Sequence, residues 1–196
     1  MTKKEFFRNR LYFAGFASFA IGALLIWNHF HGGVPSHHVL ADATLPLISN
    51  WWGIIVIPLL TVFLTYRIQK RIYGPNDQET SNLLKQVIFG FLGALSFGIL
   101  LAFLFASGNQ DVPGYMILGL LPLSFFFPIY RAECLLGFVL GMTYTFGAVL
   151  PTGIGSFLVL IGMWIYLFLR PGIGYVGSKL IQSGSSVKNQ SGGMRT

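Results

Sequence analysis

The 196 residues are 54% hydrophobic and only 10% charged, against about 25% charged in a typical soluble domain. That much apolar surface exceeds what a water-soluble fold of this length covers, which excludes an ordinary globular domain and leaves lipid as solvent for part of the chain. The formal charge of +7 lies in short segments flanking apolar runs, with no interleaved basic and aromatic surface. The expected partner is therefore the lipid bilayer and not nucleic acid.

In chain order, Lys3, Lys4, Arg8 and Arg10 precede an apolar run over residues 11–27. The polar Asn28-His29-Phe30-His31 that follows lacks the small residues of a cleavage site, so the run reads as a retained first span and not a leader. A second span covers residues 45–66, with Trp51 and Trp52 placed for an aromatic belt. A third covers residues 87–106, with Asn76 and Glu79 spaced as a helix cap and its partner. The fourth, residues 115–130, is short and interrupted by Pro122 and Pro128. Arg131 and Glu133 mark a tight turn, where a local ion pair or helix-end charge is expected. The fifth span, residues 132–150, and the sixth, residues 154–169, are divided by a second turn at Pro151-Thr152-Gly153.

The pattern predicts an all-α, polytopic integral membrane protein: a six-helix membrane domain over residues 1–170. A Gly- and Ser-rich tail without fixed structure follows over residues 171–196. With the N-terminus in the cytoplasm, all thirteen Lys and Arg residues fall in inner segments. The outer segments, residues 28–44, 107–114 and 151–153, hold none. This asymmetry predicts six crossings with both termini cytoplasmic, in a bacterial inner membrane.

Small residues recur four apart in the third span, at Gly90, Ala94, Gly98 and Ala102, and again in the fifth at Gly137 and Gly141. Such faces let helix backbones approach closely, within one chain or across a homo-oligomer. The single Cys134 excludes an internal disulfide and reads as a small packing residue.

All four histidines sit in the first outer loop: His29, His31, His37 and His38. Gly32, Gly33 and Pro35 permit a turn that folds the first pair toward the second. Ser36 is placed to cap a short interfacial helix on which His38 and Asp42 share a face. With Asp111 from the next outer loop, these side chains could ligate a divalent metal such as zinc. The alternative is plain loop histidines at the headgroup interface.

No Asp, Glu, Lys, Arg or His lies mid-span, which removes the usual proton relay. Three function classes follow. One is an external His/Asp site for a ligand or metal, serving hydrolysis of a membrane-adjacent substrate; no catalytic residue can be named for it. Another is a channel or facilitative carrier for a small neutral solute, using Ser96, Ser124 and Thr145. The last is a scaffold or accessory subunit acting through a membrane partner protein.

Overall fold

A computed structural model describes residues 2–34, 36–38, 47–74, 80–109 and 111–171, with the backbone alone at 37, 38 and 47. Six helices dominate: α1 (Lys3–Phe30), α2 (Gly53–Ile72), α3 (Thr80–Ala106), α4 (Asp111–Phe126), α5 (Ala132–Phe146) and α6 (Val149–Trp164). A short ribbon pairs β1 (Ser36–His38) antiparallel with β2 (Leu47–Ser49). A 3-10 turn, Asn50–Trp52, leads into α2, and α6 widens into a π turn at Ile165–Leu169. The fourth span and the tail beyond residue 171 meet different fates: α4 is a described helix, whereas the tail lies outside the described residues.

Four helical stretches are long and apolar enough to cross a membrane: Lys3–Phe30, Asn50–Ile72, Thr80–Ala106 and Val149–Leu169. The fourth and fifth helices are apolar but have 16 and 15 residues. At about 1.5 Å per residue they reach roughly 24 and 22 Å, short of a hydrocarbon core of about 30 Å. Large apolar side chains such as Phe16, Phe19, Phe89, Phe103 and Phe157 point outward around the bundle. In water such a girdle would be an aggregation surface, and in lipid it is ordinary.

Local chemistry sets the element ends. Thr2 caps α1 in a reciprocal box: its hydroxyl accepts from the Glu5 amide at 3.2 Å, and its own amide donates to Glu5 Oε2 at 2.8 Å. The helix thus begins well before the apolar run, carrying Lys3 to Arg10 on its first turns. The turn between α5 and α6 falls at Gly147-Ala148 and not at Pro151-Thr152-Gly153. Gly147 takes φ 71° and ψ −171°, a region essentially closed to other residues, and so ends α5. Pro151 lies in the first turn of α6, where its missing N–H has no helical partner to lose.

The packed centre holds Leu25, Ile57, Leu101, Leu136 and Val139, each no more than 2% exposed. The most extensive helix pairing is α3 with α5. There a Cβ on Gly137 would overlap the Phe91 carbonyl oxygen, and one on Gly141 would lie 2.6 Å from that of Leu95. From the other side, a Cβ on Gly98 would lie 2.7 Å from the Phe138 carbonyl oxygen. Missing side chains therefore set the interhelical distance, and the backbones meet directly. Ala102 is buried on the same helix, and Ala94 packs against the core.

Candidate functional site: a cationic cleft between α2 and α5

The last turns of α2 present Arg67, Lys70 and Arg71, cations at a helix C-terminus, while Glu133 occupies the first turn of α5. Both placements complement the helix dipoles. Because α2 and α5 meet at these ends, Arg71 Nη1 donates to Glu133 Oε1 at 2.6 Å, bridging 62 residues of sequence. Glu133 is 1% exposed and the Arg71 side chain 25%. A carboxylate so buried is tolerable only with a cation against it.

The pairing is incomplete. Arg71 Nε and Nη2, and Glu133 Oε2, are sheltered from solvent without a hydrogen-bond partner. Nη1 engages the carboxylate, so the remaining Nε–Nη2 edge is the planar fork that suits a phosphate or carboxylate bidentately.

Around this pair lies a cleft of about 340 Å³ lined by Arg67, Lys70, Arg71, Tyr130, Arg131 and Glu133. Four cations face one carboxylate, so the cleft selects for anions. Arg131 does not pair with Glu133 as sequence proximity suggested. It donates instead to Gln86 Oε1 at 3.0 Å, since Glu133, two positions on, turns inward to Arg71. What sequence reasoning missed was this long-range convergence. Its one visible signal was a lone acid opening an apolar span beside basic clusters.

A second cavity, also about 340 Å³, runs between α3 and α4–α6 and is almost wholly apolar, with Gly93, Phe97, Leu123, Phe127 and Cys134 among its walls. Cys134 is a half-buried free thiol there.

The predicted histidine site fares differently. The His31 ring stacks on Trp27 at 3.9 Å and 13°, with Nδ1 2.9 Å from the Trp27 carbonyl oxygen. His29 meets Phe30 edge-on at 5.3 Å and Trp51 at 6.1 Å. Both rings belong to an aromatic cluster of the kind found at membrane interfaces. Ser36 opens a strand and not a helix: it pairs with Ser49, His37 with Ile48 and His38 with Leu47. Strand partners give these backbone groups the hydrogen bonds a helix would have given. The helical spacing proposed for His38 and Asp42 therefore does not hold at its start, and Asp42 lies outside the described residues. Asp111 is exposed on the first turn of α4. Among the described residues, no three His, Cys, Asp or Glu side chains gather as a metal site, so metal binding gains no support there.

Of the hydroxyls considered for a polar path, Thr145 is half-buried. Ser96 is exposed. Ser124 is fully buried and donates to the Leu121 carbonyl at 2.5 Å, as does Thr143, outside that set, to the Val139 carbonyl at 2.6 Å. Bonding back to the same helix is what such groups do in apolar surroundings. No family model, curated protein or solved structure matches this chain.

Proposed function

We propose that this is a six-crossing membrane protein with both termini in the cytoplasm of a bacterial cell, and that it binds an anionic ligand at the inner headgroup level. The observation that carries the reading is the α2–α5 cleft, where Arg67, Lys70 and Arg131 surround an Arg71 whose Nε–Nη2 edge has no partner. Confinement of all Lys and Arg to alternate connecting segments supports the topology. The short α4 and α5 are accommodated by local thinning of the bilayer, with apolar residues of the 127–130 turn extending α4.

Thermal unfolding of the purified full chain in neutral detergent tests the binding. Inorganic phosphate at a hundred times its dissociation constant should add about 2.7 kcal/mol, raising Tm by roughly 5–10 °C. Chloride at equal ionic strength should not. The triple variant Arg67→Gln, Lys70→Gln, Arg131→Gln should lose most of that shift. An equal shift in the variant, or none in the native chain, overturns the reading. For topology, a membrane-impermeant maleimide on intact cells should label Ser36→Cys and spare Lys85→Cys, both in a Cys134→Ser background; the reverse pattern inverts the map.

A further inference from the structure

We infer that the ligand is an anionic phospholipid: its phosphate sits on the Nε–Nη2 edge of Arg71, and one acyl chain enters the apolar groove between α3 and α4–α6. This rests on the anion-binding reading above and deepens it.

Two independent features meet here. Arg71, on the cleft wall, carries an unpaired Nε–Nη2 edge that is sheltered from solvent and that a phosphate would reach by displacing its cover, while Glu133 Oε1 holds Nη1 at 2.6 Å. A fork so fixed loses little rotamer freedom on closing over a phosphate. Basic clefts between membrane helices at headgroup depth are suited to lipid phosphates. Beyond the cleft, the groove offers walls from Phe97, Leu120, Leu123 and Phe127, and nothing lies within 4 Å of where a Gly93 Cβ would sit.

The segment joining α4 to α5 forms the boundary between the two. Phe127 and Ile129 line the groove, while Tyr130 and Arg131 line the cleft. Gly90, on the groove wall, is so near this boundary that a Cβ there would stand 3.0 Å from Glu133 Cγ and 3.4 Å from Cys134 Sγ. Cleft and groove share no lining residue but take theirs from consecutive positions of this segment, so an amphiphile would place its head on one side of it and a chain on the other. Charge complementarity names the head as anionic, and the surrounding lipid names the tail.

The two halves contribute unequally. A chain leaving bilayer for groove gains no hydrophobic free energy, since lipid tails are as apolar as Leu, and only contact and shape remain. The phosphate contact is charge-assisted and bidentate and so dominates affinity, while discrimination against a zwitterionic head, which carries the same phosphodiester, comes from the surplus positive charge of Arg67, Lys70 and Arg131.

Native mass spectrometry of the full chain, with phosphatidylglycerol and phosphatidylcholine of identical chains, decides the matter. Phosphatidylglycerol should bind roughly tenfold more tightly than phosphatidylcholine. Arg71→Lys keeps the charge and loses the fork, so it should weaken both lipids, which share the phosphodiester, severalfold and leave the preference itself largely in place. The paired change Arg71→Gln with Glu133→Gln leaves no buried lone charge and should do the same in a chain that still folds. Gly93→Leu, filling the groove, should weaken phosphatidylglycerol about threefold while the Tm shift with inorganic phosphate persists. If Gly93→Leu binds lipid like the native chain and inorganic phosphate displaces phosphatidylglycerol fully, the chain slot is wrong and a simple anion site remains. Equal binding of the two lipids by the native chain overturns the inference, and absence of the phosphate-induced Tm shift as well removes the underlying site.

Discussion

The middle of α5 and its first turn show two ways of holding one helix in place. Mid-helix, Gly137 and Gly141 let the backbone rest on the Phe91 and Leu95 carbonyls of α3, and Leu136 and Val139 are sealed beside them. Contact there is complete, and no polar group is left for a ligand. In the first turn the attachment is the Arg71–Glu133 pair, which leaves two guanidinium nitrogens and a carboxylate oxygen without partners. Packing by absent side chains leaves no polar group over, whereas packing by charge leaves some without partners.

Substitutions along and around α5 can break that contrast. The largest effect should come from Gly137→Leu, whose side chain has no space against α3 backbone that cannot move aside. A loss above about 3 kcal/mol is expected, read as failure to yield a monodisperse peak after detergent extraction. Near-native behaviour would mean that α3 and α5 separate easily. Next is Arg71→Ala, which strands Glu133 in a buried position. It should cost about 3 kcal/mol in detergent-unfolding experiments, and adding Glu133→Gln should restore most of it. If the second change restores nothing, the pair is not what holds the first turn.

Gly147→Ala should cost about 1–3 kcal/mol, because it forces a Cβ into a glycine-only conformation and onto the buried Asn50 side chain. Melting temperature measures it, and an unchanged value would place the α5–α6 turn elsewhere. The smallest effect carries the opposite sign. Gly93→Ala, with open space at its Cβ position, should stabilise α3 by up to about 1 kcal/mol. Destabilisation there would mean that the groove is closed.

Much of the bundle was legible in the residues, for reasons that stay local. An apolar run long enough to span hydrocarbon has one stable backbone solution in lipid, a helix. Small residues four apart on residues 90–102 necessarily share a helix face, and Gly98 and Ala102 do lie buried on α3. The boundaries went wrong where local rules compete. Pro151 reads as a breaker by type but begins a helix by position. Ser36 reads as a cap until strand Leu47–Ser49 provides a ladder partner. The histidines drew attention by their clustering, although two of them pack on Trp27 and Trp51. Arg71 and Glu133, 62 positions apart, gave no such signal.

The amino-acid order alone settled the apolar helical character and the segregation of all cations from the histidine-bearing segment, because these depend on runs and sums along the chain. Tertiary structure alone decided that α3 meets α5 through bare backbone, that Glu133 reaches Arg71 and not Arg131, and that an apolar groove ends beside a cationic cleft. Those outcomes depend on which helix faces touch and at what distance, and only close packing in three dimensions sets that.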